Sequence, residues 1–190
     1  MGEPMSLMIL ERVQKTHQRL LEIGADLSEE QLRWSPGTRA PSIGFHIWHM
    51  ARWADRLQAT LPRMTTALAQ GSESTHELWE AEALAQRWGW SADALSYGQT
   101  GMEMSDEAAA DLTLPPREVL FDYARRAFAA ADRAVGAIED QQLEQRGVDI
   151  YEQENSVGYV LLVHLSHASR HLGMIECLRG VQGLRGTATV

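Results

Sequence analysis

The chain has 190 residues, with 17 Lys and Arg against 26 Asp and Glu and a formal charge of −9. This length suits one domain, 1–190, with a sizeable buried core, while the acidic balance argues against general nucleic-acid binding and against docking on an anionic membrane, both of which need clustered cations. The lone Cys177 excludes an internal disulfide framework; with no signal peptide and no apolar run near about 18 residues, the chain is expected to be soluble and cytoplasmic.

The first predicted helix runs from Met5 to Gly24. Ile9, Val13, Leu20 and Ile23 form its apolar face, and Glu11, Lys15, Arg19 and Glu22 its wet side. His17 falls at the edge of that face and reads as a boundary residue. Ser28 and Gln31 have capping-box spacing for a short turn of helix. Trp34 to Pro41, with two prolines and a glycine, is an ordered connection.

Ser42 is a good cap for a second helix from Ile43 to Leu61, which Pro62 is expected to end. Ile43, Ile47, Met50, Ala54, Leu57 and Leu61 make its stripe. His46, His49, Trp53 and Thr60 flank it, so His49 points near the core. Residues 63–114 form a long irregular connection, with a helix about Glu77 to Arg87 and loop from Ser91 to Asp111. A connection of this length is often functional, and this one is expected to wall or cover a site. Within it, Glu73-Ser74-Thr75-His76 has the Glu-x-x-His spacing of carboxylate-bridged di-metal bundles. Those motifs sit inside long helices, whereas this one follows Gly71-Ser72 in a polar loop, so it is set aside.

Pro115-Pro116 opens the third helix, whose seam is Phe121, Ala124, Phe128, Ala131, Val135 and Ile138, ending near Glu139. One further turn extends to Arg146, and Gly147 to Glu154 is a connection. The fourth helix starts at Asn155 or Ser156 and runs to about Arg179, with Gly180 as its stop. It carries one apolar stripe of Val157, Leu161, Leu165, Ala168, Leu172 and Ile175. Beside it runs a second seam: Val160, His164, His167, His171, Met174, Leu178. Four long amphipathic segments without strand-like alternation imply an all-α four-helix bundle with one long crossover connection.

The histidine seam is the chemically unusual feature. Three imidazoles occupy positions where apolar residues normally sit, and a buried polar group without a partner costs about 1–3 kcal/mol. A divalent metal is an economical shared partner, and His at i and i+4 can both turn a nitrogen toward one ion. The second and fourth helices carry five of the seven histidines. Their core faces can meet, so His49 can complete a site begun by His167 and His171. Three neutral imidazoles around Zn²⁺, Ni²⁺ or Fe²⁺ leave positions for water or a small-molecule substrate. His46 and His164, one turn before the proposed ligands, are alternative ligands, partners that fix ring orientation, or proton carriers. Arg170, beside His171, reads as an ion-pairing or packing residue. Tyr123 and Tyr159 are candidates to line the cavity.

The stretch Ser42-Ile-Gly-Phe-His-Ile-Trp-His49-Met-Ala-Arg-Trp-Ala-Asp55, paired with His167-x-x-x-His171-x-Gly173-x-Ile175-x-x-Leu178-Arg179-Gly180, resembles the DinB/YfiT-like family. The resemblance covers most of the chain but not the middle connection. It implies a four-helix bundle holding a divalent metal through His49, His167 and His171, and it leaves His46 and His164 outside the triad. It also implies a homodimer. Characterised branches of the family use low-molecular-weight thiols, as S-transferases or isomerases, so the resemblance implies a metal site and, more loosely, a thiol-dependent reaction. Two other readings stand beside this one. A metal-water hydrolase lacks an evident general base, since no Asp or Glu lies on the histidine faces. A non-catalytic metal- or ligand-binding stress-response protein would use the same site without turnover.

Overall fold

The computed structural model describes residues 3–64 and 76–186; Glu73 to Thr75, the first part of the Glu-x-x-His motif, lie outside them. The frame is four long helices: α1 (Met5–Ala25), α3 (Ile43–Met64), α7 (Arg117–Gly136) and α8 (Val157–Val181), with the short α2 (Glu29–Arg33) between the first two. The connection to α7 carries α4 (Leu78–Ala81), α5 (Leu84–Arg87) and α6 (Asp106–Asp111). In the bundle α1 and α3 each pack along both α7 and α8, and touch each other much less. The two chain-consecutive helices therefore stand on a diagonal.

Local chemistry accounts for most of the boundaries. Ser28 and Gln31 form both halves of a capping box. Ser42 Oγ accepts from Phe45 N–H at the start of α3, and Ser156 Oγ from Tyr159 N–H at the start of α8. Two expected stops move and one expected helix breaks. Pro62 lies inside α3 rather than ending it; it falls in the last turn, where its missing N–H removes only the one bond to the Gln58 carbonyl. The expected helix from Glu77 to Arg87 is split at Ala83, whose φ is +49°. And α8 runs through Gly180 to stop at Gly183, which takes φ +74° while Leu184 N–H returns to the Arg179 carbonyl.

Two segments read as plain connection have regular structure. Ser105 caps α6, and residues on either side of Asp149 pair as an antiparallel hairpin, β1 (Arg146–Val148) with β2 (Glu154–Ser156). Asp149 closes that hairpin by accepting from Tyr151 N–H, Gln153 N–H and the Asn155 amide. The hairpin lies hard against the end of α3: a Cβ on Gly147 would sit 1.8 Å from the Met64 carbonyl oxygen. Alternation over three residues is too short a signal to read against the helical pattern around it.

The connection is pinned to α3 by buried charge. Arg52 and Asp55, 1% and 0% exposed, meet Glu77 and Tyr123. Asp55 also accepts from the Leu78 and Trp79 N–H groups and from the Gln58 amide. Trp88 then packs edge-on against both Trp79 and Trp90, and Trp48 of α3 joins them. The described part of the connection, 76–114, thus packs over one side of α3. Among the described residues no helix is long and apolar enough to cross a membrane.

Candidate metal centre

The histidines of α8 fan out. The buried line of this helix is Val157, Val160, Leu161, His164, Ala168, Ile175 and Leu178. His167 and His171 lie at its margin, half-buried, and Met174 of the expected seam is 48% exposed. Their rings reach across to α3. The Nε2 of His167 is 3.2 Å from the Nε2 of His49 and 2.9 Å from the Nε2 of His171. Each of the three offers one ligand atom, and these atoms all lie within 4.8 Å of one another. Zinc–imidazole bonds of about 2.0–2.1 Å in a tetrahedral shell put neighbouring nitrogens about 3.3 Å apart, close to the spacing seen.

The outer nitrogens explain why Nε2 is the converging atom. His49 Nδ1 donates to the Thr100 carbonyl at 2.6 Å, which leaves its Nε2 as an acceptor. That Nε2 also receives the Trp53 indole N–H at 3.1 Å. His171 Nδ1 lies 2.9 Å from His46 Nδ1, so a proton on His171 Nδ1 turns its Nε2 lone pair inward as well. Acceptor lone pairs facing each other at this range are unfavourable unless a proton or cation lies among them.

Burial keeps the cluster uncharged. Desolvation lowers His49 to about 3 and His46 to about 4; it lowers His167 to about 4 and His171 to about 2, with neighbouring histidines and, weakly, Arg170 adding to the His171 shift. At neutral pH these are neutral imidazoles, the ligating form. Phe45 stacks on His49 at 5.9 Å, and Trp53 meets His167 at 5.7 Å, so the buried side of the cluster has aromatic walls. No carboxylate belongs to the cluster among the described residues. The donor set is three neutral nitrogens, which fits a borderline divalent ion such as Zn²⁺, Ni²⁺ or Fe²⁺.

The remaining candidates separate. His46 is buried behind His171, against its far nitrogen, rather than among the three Nε2 atoms. His164 turns away toward α1, where its Nε2 meets the Nε2 of His17 at 2.9 Å. His17 is not a boundary residue: it is 1% exposed, stacks on Phe128 and reaches Asp132 through Nδ1 at 2.7 Å. The signal was present, because His17 sits four residues after Val13 and three before Leu20, on the stripe itself. Tyr123 is sealed in the Arg52 network and Tyr159 is exposed, so neither lines the cluster. Arg170 is exposed and makes no ion pair among the described residues. Thr100 and Arg52 carried no sequence signal, the first because it acts through its backbone and the second because it sits on a helix dense in apolar residues.

A solved structure, described as a conserved protein of locus from Enterococcus faecalis, superimposes with a TM-score of 0.71 at 19% identity, over 96% of this chain and 99% of that one. At that identity the likeness shows the fold. No curated protein matches the chain. The sequence pattern of the DinB superfamily matches residues 12–175, which include α3 and nearly all of α8 down to Ile175. The chain belongs to the DinB superfamily.

Proposed function

We propose that His49, His167 and His171 bind one divalent cation and that the protein is an enzyme acting on a small-molecule substrate with a low-molecular-weight thiol. The observation that carries the first part is the convergence of Nε2 atoms at 2.9 and 3.2 Å, with Nδ1 of His49 occupied by a carbonyl and Nδ1 of His171 facing His46. A bound divalent ion supplies Lewis acidity that keeps a thiol deprotonated near neutral pH. The protein supplies the rest: neutral imidazoles, aromatic walls on the buried side, and a half-buried edge at His167 and His171 through which a small molecule reaches the cluster. Thiol-dependent S-transfer or isomerisation is the reaction class we assign, supported by the resemblance to thiol-using DinB-like branches.

Metal analysis of the purified protein, followed by titration with Zn²⁺, Ni²⁺ and Fe²⁺, tests the site; one equivalent per chain is expected, and no uptake of any of them overturns it. A panel of thiols with a chromogenic electrophile tests the reaction, and metal-dependent consumption of one thiol is expected. Tight metal binding with no turnover by any thiol would favour the non-catalytic reading. Pairing of two copies is part of the same proposal. It is supported by exposed Met5 and Met8 on α1 and Tyr159 and Leu162 on α8, at the end of the bundle where Ile9, Val157 and Val160 share one buried cluster. Light scattering distinguishes one copy from two.

A further inference from the structure

We infer that Arg52 is a positioning residue for the candidate metal centre, holding in place the carbonyl that, together with the Trp53 N–H, fixes the tautomer and orientation of His49. This rests on the proposed role of His49 as a ligand. A neutral imidazole carries one proton, and the hydrogen bond at one nitrogen decides which nitrogen keeps a free lone pair. For His49 two groups set it: the Thr100 carbonyl at Nδ1, which can only accept, and the Trp53 indole N–H at Nε2, which can only donate.

The turn that presents this carbonyl is not one the chain holds cheaply. Gly98, Gln99 and Gly101 all have positive φ, +53°, +52° and +85°, and for Gln99 the left-handed region is strained by its Cβ. Arg52 braces it from within. Its Nε donates to the Gln99 carbonyl at 2.9 Å, and one terminal nitrogen donates to the Gly98 carbonyl at 2.9 Å. These are the two peptide groups directly before Thr100. The same guanidinium meets Glu77 at 2.7 Å, Asp55 at 3.3 Å and the Tyr123 hydroxyl at 3.2 Å. A cation 1% exposed is kept by that many acceptors.

Arg52 also follows His49 by three residues on α3, so one helix face presents both the ligand and the brace for the ligand's partner. The geometry is that of an outer support for a metal-binding imidazole, built from backbone carbonyls rather than from a carboxylate. A lysine cannot replace it, because a point charge lacks the planar fork that serves several acceptors at once.

The test uses the full chain labelled with ¹⁵N on histidine. In the metal-free wild type, ring-nitrogen shifts should report His49 as the Nδ1–H tautomer. In a Trp53→Phe background, where the carbonyl is the remaining constraint on the ring, Arg52→Lys should shift His49 toward a mixture of tautomers and lower Zn²⁺ affinity about 10- to 100-fold. Arg52→Gln with Glu77→Gln, which removes one buried charge of each sign, should do the same and covers the case in which Arg52→Lys does not fold. Arg179→Lys is the control: that guanidinium is also buried, bonded to the Ile23 carbonyl and Asp26, and its replacement should leave His49 unchanged. A folded Arg52 variant that, in the Trp53→Phe background, keeps the His49 tautomer and Zn²⁺ affinity of that background overturns the inference. Wild-type protein that takes up no Zn²⁺ while the Arg52 variants still shift the tautomer overturns the metal reading and leaves the positioning role standing.

Discussion

His167 and His171 turn toward α3 and meet His49; His164, one turn earlier on the same helix, turns toward α1 and meets His17. Both clusters are made of imidazoles held at 2.9–3.2 Å, yet they are completed differently. In the pair, Asp132 accepts from His17, the two Nε2 atoms share a hydrogen bond, and both rings are 1–2% exposed. Each contact matches a donor with an acceptor, so this cluster is satisfied by protein alone. In the trio, the outer nitrogens of His49 and His171 face a carbonyl and another histidine, and the inner nitrogens face one another at a half-buried edge. Histidines on one helix thus serve two ends: a polar clasp between α1, α7 and α8, and the three-imidazole cluster proposed to hold a cation. What separates them is the neighbour, a carboxylate in one case and further imidazoles in the other.

That contrast breaks most sharply under loss of a proposed ligand. His171→Ala is expected to lower metal affinity by more than the roughly 10- to 100-fold typical of an outer partner, while His164→Ala leaves metal stoichiometry at one per chain. Calorimetric titration of both variants checks this, and equal losses would mean that the two clusters form one site. The pair should answer in stability. His17→Ala strands the His164 nitrogen and Asp132, and should cost about 1–3 kcal/mol in urea unfolding with metal binding intact. Replacing both members, His17→Phe with His164→Leu, should cost less than the single change, because no buried polar ring is left without a partner.

His46→Ala is the intermediate case. It removes the group facing His171 Nδ1, and about a tenfold weaker site is expected; an unchanged affinity would make His46 mere filling. The pH response tests the trio and its neighbour His46 together. Burial lowers His46, His49 and His167 to between about 3 and 4 from an ordinary 6.5. Below 6.5 the unfolded chain takes up protons that the folded chain refuses, so stability falls with acid and is flat above neutrality. For metal-free protein the urea midpoint should decline steadily from about pH 6.5 to pH 4. A midpoint constant over that window would mean that the imidazoles are not buried as described.

The four helices, Ser28, Ser42 and Ser156 as caps, and the facing of α3 toward α8 were all legible in the sequence, because helix periodicity and capping are local and are repeated over many residues. So was the idea that His49 belongs with His167 and His171, since a bundle must bring apolar faces together and these residues ride on or beside those faces. Tertiary structure alone decided that His164 leaves the seam for His17, that His46 stands behind His171, and that His49 meets the Thr100 carbonyl beside the turn Arg52 braces. These depend on which helix lies beside which, on the small rotation between positions three and four apart, and on backbone carbonyls, which every residue carries and no sequence pattern marks.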